Sequence, residues 1–142
     1  MTDRRYDRDG GLLVRDAVLR VREFAEPDGR IRALVAWKGP TGVTPDGHKS
    51  RRELEYTIQG RTAAPGDLLE ALGYFPVQVI DRHVEYYHLG EIDVRLEWYP
   101  RMDVLVEVEG SAAGIEAAVA VLGVPRDQFT AEPLRIFAER FA

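Results

Sequence analysis

Arginine, aspartate and glutamate recur two residues apart along this chain. Arg20 and Arg22 sit in Leu19-Arg20-Val21-Arg22, and Glu53 and Glu55 in Glu53-Leu54-Glu55. Asp93, Arg95 and Glu97 sit in Asp93-Val94-Arg95-Leu96-Glu97, and Glu107 and Glu109 in Glu107-Val108-Glu109. Apolar residues fill the positions between. Residues i and i+2 of a strand share a face, so each segment predicts a strand with one charged and one apolar face. Guanidinium forks bind phosphate oxygens bidentately, and an ammonium adds a point charge. Carboxylates supply the oxygen ligands that Mg²⁺ and Mn²⁺ prefer. A sheet curled with its charges inward would make a channel able to hold a polyphosphate on its cations and a divalent metal on its carboxylates. The same spacing also describes solvated charges paired across an open sheet.

The elements that must position these residues follow from alternation and punctuation. Residues 1–11 are polar and end in glycines, and read as poorly anchored. Strands are expected over 17–25 and 30–38, joined at Pro27-Asp28-Gly29 into a hairpin that places Lys38 on the same face as Arg32. A breaker-rich loop over 39–47 leads to a strand over 51–59. A short helix over 65–73 has an early proline and a closing glycine. A second hairpin is expected from 77–88 and 91–98 around Leu89-Gly90, and a last strand over 103–109. Ser111 caps a helix running to Leu122 with Gly123 beyond it, and Pro133 opens a final helix to near Phe141. Strands outnumber helices, and successive hairpins favour an antiparallel sheet.

The totals narrow the classes. With 142 residues a single domain spanning 1–142 is expected, long enough for a core. A net charge of −5 argues against a nucleic-acid partner. The chain has no cysteine, so disulfides and thiolate ligands are out. No signal-like or membrane-spanning apolar run is present, which predicts no membrane partner and a cytoplasmic location. His48, His83 and His88 lack metal-ligand spacing and read as structural or exposed. Trp37, Tyr56, Phe75, Tyr86 and Trp98 read as packing residues. No nucleophile-elbow or Walker motif occurs.

The ordered set Leu19-Arg20-Val21-Arg22, Trp37-Lys38-Gly39-Pro40, Ser50-Arg51-Arg52-Glu53-Leu54-Glu55, Leu68 to Gly73, Arg82 before Tyr86, and Trp98-Tyr99-Pro100 leading into Glu107-Val108-Glu109-Gly110 resembles the CYTH superfamily, the triphosphate tunnel enzymes. The resemblance runs from about Tyr6 into the C-terminal part of the chain. It implies an α+β fold, an antiparallel β-barrel or tunnel with helices packed outside. It implies that Arg20, Arg22, Lys38 and Arg82 bind a triphosphate, with Lys38 and Arg82 catalytic. It implies that Glu97, Glu107 and Glu109 hold Mg²⁺ or Mn²⁺, with Glu53 and Glu55 in support. The Trp-Tyr-Pro and Glu-Val-Glu-Gly segments look closest to the class IV adenylate cyclases, which convert ATP to cyclic AMP and pyrophosphate. The alternatives are a triphosphatase acting on thiamine triphosphate or tripolyphosphate, a catalytically weak polyphosphate or nucleotide binder, and a homodimeric scaffold. The chain departs from the family in three ways. It lacks the opening Glu-x-Glu-x-Lys strand and so reads as N-terminally shortened, Ile80 stands where a lysine is usual, and Glu97 stands where aspartate is usual.

Overall fold

The computed structural model describes residues 1–25, 28–60 and 64–132. The final helix expected from Pro133, and Pro27 of the first turn, lie outside the described residues. The chain divides into two compact units, Met1–Gly42 with Ser50–Asp81, and Val43–Lys49 with the chain from Arg82 onward. Both are built on antiparallel pairing, giving an α+β architecture.

The first unit is a five-stranded sheet in the order β6-β3-β2-β1-β7. Its strands are β1 (Thr2–Asp7), β2 (Val18–Ala25), β3 (Ile31–Lys38), β6 (Glu53–Gly60) and β7 (Phe75–Asp81). The helix α1 (Gly11–Val14) follows β1, and α2 (Ala64–Ala71) precedes β7. The alternation expected of the two β2/β3 segments is present, and Val21 sits opposite Val35 in their register. Tyr6, Val21 and Ala33 form the buried cluster on one face, with Leu19, Val35, Leu69 and Tyr74 packed against it. The helix α2 approaches closely there: a β-carbon at Gly66 would lie 2.7 Å from the Tyr6 hydroxyl oxygen.

The amino-terminal residues overturn the expectation of a loose start. β1 lies inside the sheet, between β2 and β7. Its sequence, Thr2-Asp3-Arg4-Arg5-Tyr6-Asp7, looks polar throughout, yet Asp3, Tyr6 and Asp7 are buried. Asp7 secures the turn that follows: its carboxylate accepts from the backbone N–H groups of Arg8, Leu12 and Leu13 at 2.6, 3.0 and 3.1 Å. The Leu12 and Leu13 donors would otherwise be orphans at the start of α1.

The second unit is a three-stranded sheet in the order β10-β9-β8, from β8 (His83–Leu89), β9 (Ile92–Trp98) and β10 (Leu105–Glu109). The β8/β9 hairpin turns at Gly90, whose φ of 64° suits glycine. The helix α3 (Ala112–Leu122) is capped by Ser111, which accepts from Gly114 N–H at 3.2 Å, and is closed by Gly123 at φ 67°. Ile92, Val94 and Ala118 make this unit's core, with Val106 and Val108 beside them. The single strand expected over 77–88 is corrected here. It is two strands in different sheets, β7 and β8, separated at Arg82. The breaker-rich loop also carries two-residue strands, β4 (Gly42–Val43) and β5 (Lys49–Ser50).

Burial alone would raise the Asp7 carboxyl, but the three backbone donors hold it below the usual carboxylate range. A carboxyl depressed in the folded state stabilises the fold above its unfolded value near pH 4 and loses that contribution as pH falls through the folded value. Asp7→Ala is therefore expected to cost about 2 kcal/mol near neutral pH. Denaturant titrations of the two proteins should show that difference shrinking below about pH 4.

Candidate functional site

In the first unit, one face of the sheet carries the chemistry. Strand pairing sets Asp3 opposite Arg22, Arg5 opposite Arg20, Arg20 opposite Ala36, and Lys38 opposite Glu53. Paired residues share a face, so Arg20, Arg22 and Lys38 lie with Arg5 and Arg32 on the side opposite the Tyr6–Val21–Ala33 cluster. Glu53 and Glu55 lie on that side too, by the β3/β6 register. Asp3, Arg20 and Arg22 are only 4, 7 and 5% exposed. The Asp3 Oδ2 atom is 3.3 Å from Arg22 Nε, which donates to it, and 3.9 Å from an Arg20 terminal nitrogen. Buried charge is tolerated only where it is paired, and Asp3 supplies that pairing for two guanidiniums. Ala36, fully buried opposite Arg20, keeps the side chain beside Arg20 small. At the sheet end, Lys38 Nζ meets Glu53 Oε1 at 2.6 Å. Arg32 stacks its guanidinium over the Phe24 ring at 4.0 Å. Glu53 thus pairs with the lysine directly across the β3/β6 strands.

In the second unit, Glu97, Glu107 and Glu109 also share one face, with Arg95 among them. Arg95 is paired across the strands with Glu107 on one side and Tyr86 on the other. Its guanidinium contacts both Glu107, at 3.3 Å, and Glu109. Burial works against the Arg95 charge. Glu107, then Glu109 and Glu97, overcome it and hold the guanidinium above its usual range. Glu97 is engaged differently. The Tyr99 hydroxyl donates to Glu97 Oε2 and accepts from Arg82, whose terminal nitrogen is 3.7 Å from the same carboxylate oxygen. The Arg82 guanidinium also lies over the Tyr99 ring at 4.9 Å. All three side chains are buried. Burial above all keeps the Tyr99 hydroxyl protonated far beyond the usual phenol range; Arg82 opposes this and Glu97 adds to it.

The metal reading needs the three glutamates to converge on one ion. Glu97 Oε1 is buried with no hydrogen-bond partner among the described residues. Glu107 and Glu109, however, close on Arg95. Among the described residues no group of three or more His, Asp or Glu side chains is placed to hold a metal ion. In this arrangement the donor set does not fit Mg²⁺ or Mn²⁺.

Sequence reasoning missed Asp3, Arg5 and Tyr99, and gave Arg95 no role. The i, i+2 signal was present in Asp3-Arg4-Arg5. It was masked because Arg4 and Tyr6 on the other face do not make an apolar stripe. Arg4 pairs there with Glu23 at 2.5 Å. His83 packs its ring on Trp98, with centroids 5.1 Å apart, and His88 meets Asp93 at 2.7 Å on the surface.

Neither a protein-family model nor a curated protein sequence matches the chain. Solved structures do. The PH1819 protein of Pyrococcus horikoshii OT3 aligns with a TM-score of 0.70 at 22% identity, over 98% of this chain and 83% of that one. The X-ray structure of a "putative adenylate cyclase" from Vibrio parahaemolyticus aligns with a TM-score of 0.60 at 19% identity, over 85% of this chain and 65% of that one. These likenesses establish a shared fold. No helix among the described residues is long and apolar enough to cross a membrane.

Tyr99→Phe removes the hydroxyl that joins Arg82 to Glu97 and leaves buried charge less well satisfied. It should cost about 1–3 kcal/mol by chemical denaturation. Tyr87→Phe removes an exposed hydroxyl that donates to Glu85 at 2.6 Å, and it should change stability by less than about 0.5 kcal/mol.

Proposed function

We propose that this chain is a cytoplasmic, CYTH-like protein that binds the phosphate chain of a small-molecule triphosphate, with ATP, thiamine triphosphate and tripolyphosphate as candidates. The observation that carries this is the buried Arg20–Asp3–Arg22 group on a sheet face that also bears Arg5, Arg32 and Lys38. A sheet whose other face already holds the apolar core has no packing reason to bury two arginines. A polyanion gives them a use, and arginine forks are matched to phosphate oxygens. Asp3 holds the guanidiniums in place before a ligand arrives, which reduces the ordering cost of binding.

The reaction form of this reading is adenylate cyclase-like chemistry. It draws support from the ordered motifs and from the fold shared with the Vibrio structure. In it Arg20, Arg22 and Lys38 grip phosphate oxygens, with Lys38 a catalytic cation. Mg²⁺ or Mn²⁺ would screen phosphate charge in such chemistry. The pairing of Glu107 and Glu109 with Arg95 does not fit that ion. The same pairing favours a second reading, a polyphosphate or nucleotide binder with little or no turnover.

Calorimetric titration of tripolyphosphate into the whole chain, with and without Mn²⁺, tests the proposal. Saturable binding is expected without metal. Arg20→Lys keeps the charge but loses the fork, and should weaken binding about tenfold, worth about 1.4 kcal/mol. Cyclic AMP or phosphate release from ATP would select the enzymatic form, and binding without product the second reading. No heat in either condition, from a folded protein, would end the proposal.

A further inference from the structure

The β6 strand stands at one edge of the five-stranded sheet, with β3 as its partner and no second strand beside it among the described residues. Free edges invite pairing, and proteins blunt them with proline, lysine or bulges. The opposite edge, β7, has such devices: Pro76 lies within it, and its register with β1 shifts between Arg5 and Tyr6. The sequence of β6, Glu-Leu-Glu-Tyr-Thr-Ile-Gln-Gly, has neither proline nor lysine, and its register with β3 is unbroken over eight residues. Every residue from Glu53 to Gln59 is exposed. On the apolar side Leu54, Tyr56 and Ile58 are 41, 69 and 42% exposed.

Charge complementarity selects the occupant and the register. Consider a second copy laid antiparallel about a twofold axis through Tyr56. Leu54 then opposes Ile58, Glu55 opposes Thr57 and Glu53 opposes Gln59. Apolar meets apolar, and no glutamate faces a glutamate. Centring on Glu55 would oppose like charges, which is destabilising. Centring on Thr57 would set Leu54 against Gly60. The strand is thus self-complementary in one register, as a twofold interface requires. We propose that two copies of this chain associate through β6 in that register, joining their five-stranded sheets edge to edge. The proposal is independent of any ligand.

The chain has no cysteine, so single cysteines report cleanly on full-length protein. Opposed residues of an antiparallel pair have α-carbons about 4.5–5.5 Å apart, within disulfide reach. Under mild oxidation Tyr56→Cys should cross-link to its own copy. Leu54→Cys should not, since four residues of strand rise place it about 13 Å from its copy. Sedimentation from low to high micromolar concentration should show a dimer that Tyr56→Lys abolishes and that Val79→Lys, at the other edge, leaves intact. A wild-type chain monomeric throughout would overturn the proposal. So would equal cross-linking at 54 and 56, or a dimer indifferent to Tyr56→Lys. Should Tyr56→Lys fail to fold, the cysteine pair still decides.

Discussion

One buried carboxylate sets much of the first unit. Asp3 lies against Arg22 at 3.3 Å and Arg20 at 3.9 Å, and all three side chains are nearly inaccessible. Removing a partner from such a group leaves uncompensated buried charge, at a cost of several kcal/mol. The β1/β2 register is thereby constrained from both faces. A slip of one residue would turn Asp3 toward the Tyr6–Val21–Ala33 cluster and leave two guanidiniums without it. The anchoring of the chain's first residues follows from that constraint, although their composition suggests the opposite. So does the separation of an apolar face, closed by Leu69 and Tyr74, from a cationic one.

The second unit resolves a similar problem with the signs reversed. Three glutamates share a face, and the chain balances them with its own cations. Arg95 takes Glu107 and Glu109, while Arg82 reaches Glu97 together with the Tyr99 hydroxyl. An internal guanidinium between carboxylates does electrostatically what a divalent ion would do there, without offering coordination sites to a substrate. The two units therefore differ in character. The first gathers its arginines on one sheet face around Asp3, and the second sets single arginines among clustered glutamates.

Much of this was legible in the sequence, because period-two alternation depends only on strand geometry. It located β2, β3, β6, β9 and β10, placed Arg20, Arg22 and Lys38 on one face, and put Glu97, Glu107 and Glu109 on another. The helix α3 was readable from Ser111 and Gly123, whose roles are local. What alternation does not encode is partnership. Asp3 is buried because it pairs with a strand some twenty residues away, and nothing within Thr2–Asp7 signals that. Arg95 was visible as a charge on the right face, but its claim on Glu107 and Glu109 depends on the β9/β10 register. The break at Arg82 was hidden because both sides of it are good strand sequence. Arg82 leaves the regular pairing and meets Tyr99 and Glu97, and the chain passes there from one sheet to another.

The proposed role of the Arg20–Arg22 face is to bind phosphate chains. The most direct test is side-chain NMR of ¹⁵N-arginine-labelled protein, following the Nε–H resonances as tripolyphosphate is added. Saturable shifts at Arg20 and Arg22 are predicted, with Arg95 and the surface Arg126 unmoved. Shifts confined to Arg126 and other surface arginines, or no saturable change at Arg20 and Arg22, would contradict it.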